Sequence, residues 1–211
     1  MTEPKSKLLV ALSDGFALRR LFFSRMSSLV SELGDFDVTL LQDRNRIASE
    51  FFEKRGIHPL EGQPGNRAQT RKLVEGCTHI AVFWGGEDLS DVIFFATLLR
   101  KKYRIIPVRL TSVKNKDKLE EFDIYIGRGS PWGNPFPIQH GPGGDTREDV
   151  IRKFRSYFDK EILTNPQKKE LLLSLRGYRL GCHCKPEACH GDVIAEYLNS
   201  YEDEDEVGQS R

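Results

Sequence analysis

The chain reads as an α/β protein: a Rossmann-like parallel sheet sandwiched by helices, followed by a smaller α/β domain with a Cys/His knuckle. Three observations predict this. Short apolar runs alternate with segments of helical apolar spacing through residues 7–110, the pattern of a layered α/β fold with right-handed crossovers. The strand at residues 78–84 is dominated by the unbroken run Ile80-Ala81-Val82-Phe83-Trp84, as expected where both sheet faces are covered. Cys182, Cys184 and Cys189 fall within eight residues, in a chain with no other mark of a disulfide scaffold.

The first strand spans residues 7–12 and runs into the polar turn Ser13-Asp14-Gly15. Leu18, Leu21, Phe22, Met26, Leu29, Val30 and Leu33 then recur at helical spacing, and Gly34 stops the helix. A second strand covers 38–41. Ile47, Ala48, Phe51 and Phe52 mark a helix closed by Gly56, and after the loop at 61–66 a short helix covers 68–75. Gly85-Gly86 turns the chain out of the 78–84 strand into a helix at 89–99, and a strand follows at 104–110. These elements define a domain at residues 1–111. The charged stretch at 112–121 reads as a linker or short surface helix.

A second domain covers residues 122–200. It starts with a strand at 123–127 and a Gly/Pro-rich loop at 128–144. Asp145 or Thr146 caps a helix with the stripe Val150, Ile151, Phe154, Phe158 and Ile162. Pro166 opens the next helix, which carries Leu171, Leu172 and Leu175 and ends at Gly177. A strand at 178–184 delivers the first two clustered cysteines, and a helix at 192–201 closes the domain. Residues 201–211 read as an acidic disordered tail.

With 38% hydrophobic and 30% charged residues and a net charge of +1, no global field draws the protein to nucleic acid or an anionic membrane. No apolar stretch is long enough to span a bilayer or form a signal-peptide core. The expected location is therefore cytoplasmic, with the thiols reduced. Arg152, Lys153 and Arg155 occupy the solvated side of an amphipathic helix, which argues against nucleic-acid binding there.

Ligands of an open parallel sheet bind beyond the carboxyl ends of its strands. Ser13 and Asp14, Asn66 and Arg67, and Gly85, Gly86 and Glu87 occupy that edge, with Ser90 at the next helix start. Glycines let backbone amides approach an anion, the helix start adds positive potential, and Arg67 offers a forked contact to phosphate. A tight turn would need the two glycines in any case. Val10-Ala11-Leu12-Ser13, Gly65-Asn66-Arg67, the segment Ala81 to Gly86 and Ile105-Ile106-Pro107-Val108 together resemble the SLOG superfamily of Rossmann-like domains. That superfamily includes cytokinin-activating enzymes and nucleotide sensors. The resemblance implies a nucleotide- or nucleobase-binding site. Its usual second-loop Gly-Thr is replaced here by Glu87-Asp88-Leu89-Ser90, and Gln42-Asp43-Arg44-Asn45 stands where a glycine-rich loop is common, which favours binding over hydrolysis.

In the second domain Gly127 and Gly129 permit close backbone approach, Arg128 can hold a phosphate or carboxylate, Trp132 or Phe136 can stack on a base, and Asn134 can read a base edge. A rigid loop tucking its aromatics into the core is the plainer alternative. In an extended strand Cys182 and Cys184 share a face and His183 takes the other. Cys189 and His190 stand at the start of the last helix, where the dipole lowers a thiol pKa. Three readings stay open. Cys182, Cys184, Cys189 and His190 hold zinc; or Cys189 or Cys184 is a nucleophile, with His190 carrying its proton and Asp192 orienting the ring; or the cysteines are simply buried. Cys77 reads as core.

Tyr125-Ile126-Gly127-Arg128, Gly133-Asn134-Pro135-Phe136, Leu175-Arg176-Gly177 and Leu180-Gly181-Cys182-His183-Cys184 through Cys189-His190-Gly191-Asp192-Val193 resemble the family called domain of unknown function 4326. The resemblance covers about residues 122–199 and implies a phage or bacterial setting. The site positions it implies are Gly127, Arg128, Asn134, Cys182, Cys184, Cys189, His190 and Asp192, and His183 departs from the aromatic expected there. The expected function is processing of a nucleotide or nucleoside, by N-glycosidic cleavage or base/ribosyl transfer. Glu87 and Asp88 could then serve an oxocarbenium-like centre. The alternative is a non-catalytic nucleotide sensor with a structural metal. The expected partner is a small nucleotide or nucleobase ligand, with a homo-oligomer left open.

Overall fold

The computed structural model describes residues 5–63, 65–138 and 143–202. It divides into two compact units. One runs to Val108 and takes in the chain again from Ser200; the other is Arg109–Asn199.

In the first unit, strands β1 (Ser6–Leu12), β2 (Phe36–Leu41), β3 (Leu60–Gly62), β4 (His79–Trp84) and β5 (Lys102–Pro107) form one sheet in the order β3-β2-β1-β4-β5, every pairing parallel. The helices between them are α1 (Arg19–Val30), α2 (Ile47–Glu53), α3 (Arg67–Glu75) and α4 (Ser90–Leu98). Alternate residues of the central strands feed two cores. Leu9, Ala11, Ile80 and Val82 pack with Val74, Val92, Phe95 and Ala96. On the opposite side Phe83 meets Phe16 and Phe22, and Phe22 meets Phe51. This explains why β1 and β4 are apolar at consecutive positions.

In the second unit, β6 (Ser112–Asn115), β7 (Ile124–Tyr125) and β8 (Arg179–Cys182) form a parallel sheet in the order β6-β8-β7. Thr146 caps α5 (Arg147–Tyr157) through a reciprocal box with Asp149. The stripe beginning in α5 continues through a π-helical turn, Phe158–Ile162, into the core. Asn165 caps α6 (Pro166–Leu173), and α7 (His190–Ser200) closes the unit. Leu171, expected inward, is exposed.

Three expectations need correction. Residues 112–121, read as a linker or short surface helix, do hold a short 3-10 turn (Lys116–Lys118), but strand β6 lies there too, because Ser112–Asn115 pair with Arg179–Cys182 despite their polarity. Residues 60–62, read as the way into a loop, form edge strand β3. Glu202 is not a frayed residue, since its carboxylate accepts the amides of Arg20 and Leu21 at the start of α1. Most of the expected tail, residues 203–211, lies outside the described residues, as do Pro64 and residues 139–142 of the two loops. No helix among the described residues is long and apolar enough to cross a membrane.

Asn199 ties α7 to the entry of β6. Its Oδ1 accepts the Thr111 amide at 2.6 Å and its Nδ2 donates to the Thr111 carbonyl at 3.0 Å, all buried. Asn199→Ala strands a buried donor and acceptor, so it should lower unfolding free energy by about 1–3 kcal/mol. Denaturant unfolding and faster exchange of the Thr111 amide would register this.

Candidate functional site

The centre of the second unit is built where β8 ends and α7 begins. Cys182 terminates the middle strand and is buried, while Cys189 and His190 are buried at the first turn of α7. Gly181 is needed before Cys182, because a Cβ there would stand 2.5 Å from the Phe122 ring. His190 packs edge-on against Phe154, and its Nε2 lies 2.8 Å from the Ile126 carbonyl. A carbonyl only accepts, so Nε2 is the donor in this hydrogen bond. Donor atoms of Cys182, Cys189 and His190 lie within 4.8 Å of one another, and this group could hold a metal ion. Cys184, expected in the same set, lies outside it.

The three thiols are electrostatically unequal. The Cys189 thiol donates to Cys182 and, against the cost of burial, pulls the Cys182 pKa down to about 3, helped by His190 and the Cys184 amide. Cys189 is pushed up because it holds that donated proton, because it is buried, and because the Cys182 and Asp192 charges oppose its ionisation. Cys184 is raised by burial and then by the charge on Cys182, with Arg147 opposing. The direction at Cys189 is opposite to that expected at a helix start, and the hydrogen bond with Cys182 is its largest cause.

Asp192 does not orient His190. Its Oδ2 accepts the Cys189 amide at 2.9 Å and its Oδ1 pairs with Lys185 at 2.5 Å, so it caps α7 and holds the turn. The Ile126 carbonyl does the orienting instead.

A cavity of about 300 Å³ opens beside the cysteines. Gly127, Arg128, Asn134, Cys182, Cys184, Cys189 and His190, all singled out in the sequence, line it together. Phe136, Ile138, Val150 and Ile151 supply an apolar wall. Asn134 is engaged locally: Nδ2 reaches the Val150 carbonyl at 3.3 Å and Oδ1 accepts the Phe136 amide at 2.9 Å. It fastens the loop to α5 and is not aimed at a base edge. Trp132 is packed in the core, and Gly129 (φ +90°) serves the turn; neither lines the cavity.

Arg147, His183 and Tyr125 also line the cavity, though the sequence gave none of them a place in the site. Arg147 enters from the first turn of α5, with Nη1 3.2 Å from the Ala188 carbonyl. His183 turns towards the rim. Its Nδ1 lies 2.7 Å from Asp117 Oδ2 and its Nε2 3.1 Å from the Tyr125 hydroxyl, which itself lines the cavity. Their separation along the chain gave no signal.

In the first unit the expected ligand residues are largely satisfied internally. Ser13 is buried; its hydroxyl donates to Asp88 Oδ1 at 2.5 Å and accepts the Gly85 amide at 2.8 Å. The Asp14 amide donates to Asp88 Oδ2 at 2.8 Å, and the Asp14 carboxylate pairs with Arg44. An internal carboxylate thus fills the cradle at the β1–β4 switch point. Asn66 caps α3, and Arg67 pairs with Asp91 while lying over Phe94 and Phe95. Gly86 (φ +97°) makes the turn, Glu87 is exposed, and Ser90 starts α4.

Fold and site define the second unit as a small parallel α/β domain with a cysteine–imidazole group beside a cationic cavity. Through residues 110–200 the chain belongs to the family described as Domain of unknown function (DUF4326). It is 44% identical over 91 residues to the "Uncharacterized 12.4 kDa protein in nrdA-td intergenic region" of Enterobacteria phage T4, covering 43% of this chain and 80% of the phage protein. No solved structure matches the chain.

Gly133 packs so closely that a Cβ would sit 2.8 Å from the Gly127 carbonyl oxygen and 3.0 Å from Arg128 Cα. Backbone on both sides leaves nothing flexible to yield. Gly133→Ala, made in a Trp84→Phe background, should shift the emission of Trp132 and displace Arg128; unchanged tryptophan fluorescence would contradict this packing.

Proposed function

We propose that the second unit binds and processes a nucleotide, nucleoside or nucleobase-type ligand, by N-glycosidic cleavage or base/ribosyl transfer, with zinc held by Cys182, Cys189 and His190. One observation carries this reading: a single cavity joins an arginine, an apolar-aromatic wall and the sulfur–imidazole group. Its volume suits a small ligand. Arg128 has no hydrogen-bond or ion-pair partner for its guanidinium among the described residues and is placed to take a phosphate or carboxylate. Phe136 offers a face to a base.

The donor set suits zinc. Two soft sulfurs, one already ionised, face an imidazole whose other nitrogen donates to a carbonyl, the second-shell arrangement that fixes a ligating histidine. Bound zinc would supply Lewis-acid polarisation at the inner end of the cavity. Tyr125, hydrogen-bonded to His183 that Asp117 in turn holds, offers a hydroxyl able to pass a proton at the rim.

A nucleotide sensor with a structural metal is favoured by one feature, the burial of all three donors. A SLOG-like role for the first unit remains part of the proposal, but an incoming anion would have to displace the Asp88 carboxylate from Ser13 and Asp14.

Protein purified without chelator should hold one equivalent of zinc by elemental analysis and lose it in Cys182→Ser, whereas Cys184→Ser should retain it. Incubation with nucleosides and nucleotides, followed by chromatography for released base, separates the two readings. Turnover abolished by Arg128→Ala supports the enzyme; tight binding without turnover supports the sensor; neither binding nor turnover removes both.

A further inference from the structure

Three arginines of the second unit are held by carboxylates. Arg152 pairs with Asp149, Arg155 with Glu196, and Arg179 with Asp123 and Glu121. Arg128 and Arg147 meet no carboxylate among the described residues, and both line the same cavity. Arg147 is steadied by a neutral carbonyl and by the Cys184 sulfur, which leaves its charge uncompensated.

The remaining wall sharpens this. No aspartate or glutamate lines the cavity among the described residues. Asp117 is bound to the lining residue His183. Two guanidiniums lining a cavity that no carboxylate lines among the described residues suit a group that carries two negative charges and several acceptor oxygens. The apolar wall beside them suits a ring system.

We infer that Arg128 and Arg147 together bind the phosphate of a phosphomonoester, so that the ligand of this cavity is a nucleoside monophosphate and not the free nucleoside or base. This rests on the nucleotide-type reading above and narrows it. Arg147 is here a specificity residue contributed by α5, reaching the cavity 19 positions along the chain from Arg128.

The test is calorimetric titration of the full chain with the four ribonucleoside 5′-monophosphates, the matching nucleosides, and inorganic phosphate. A monophosphate should bind at least tenfold more tightly than its nucleoside, and inorganic phosphate should compete with it. Arg147→Gln should weaken the monophosphate at least tenfold and leave the nucleoside unchanged, with Arg147→Lys intermediate because it keeps the charge but loses the fork. Equal affinity for nucleoside and monophosphate would overturn the arginine pair while leaving the broader reading intact. Binding of neither class would overturn both. The comparison of ligands on the wild-type chain decides the question even if a variant fails to fold.

Discussion

The cluster of donors around the buried Cys182 sulfur organises the second unit. A lone thiolate is costly away from water, so its surroundings must supply donors, and they do: the Cys189 thiol, the His190 ring and the Cys184 amide converge on it. Each donor is fixed by a separate element. Cys189 and His190 belong to the first turn of α7, which Asp192 caps and Lys185 steadies. The ring of His190 is held from behind by the Ile126 carbonyl, just beyond β7. The sulfur thus gathers the carboxyl ends of two strands and the start of a helix at one point.

The same convergence explains the glycine pattern around the cavity. Gly133 lies against the Gly127 and Arg128 backbone, and a Cβ on Gly127 would run into the Tyr125 phenol. These residues let two loop segments stack at van der Waals distance, which leaves the Arg128 side chain at the cavity with its backbone fixed. Asn134 fastens the outer limb of the loop to α5 through the Val150 carbonyl. Positioning of this kind uses residues that never touch a ligand, and from the sequence they cannot be told apart from residues that do.

That limit marks what was legible in the sequence. The long helices and buried strands announced themselves through periodicity, and the cysteine and glycine motifs name residues that line one cavity. β3 and β6 were missed because three or four polar or edge residues carry no periodic signal; pairing with a neighbour makes them strands. The ionised cysteine was misassigned because the helix start is a local rule, while the deciding hydrogen bond joins residues seven apart across a turn. Asn66 and Arg67 were correctly placed beyond the strand ends, yet they act as a helix cap and an ion pair. Arg147 and the Asp117–His183–Tyr125 chain depend on contacts between distant segments and left no trace in spacing.

The two units place their carboxylates differently. At the β1–β4 switch point, Ser13 and the Asp14 amide receive a carboxylate that the chain supplies itself, so each donor is satisfied without a ligand. In the second unit the family positions build a cavity with two guanidiniums and no carboxylate among the described lining residues. Concentrated like charge without a counter-ion opposes folding, and a structural cavity would be expected to relieve it, as Arg152, Arg155 and Arg179 are relieved nearby. On the proposal of a phosphate ligand, the counter-charge of this pair arrives with that ligand.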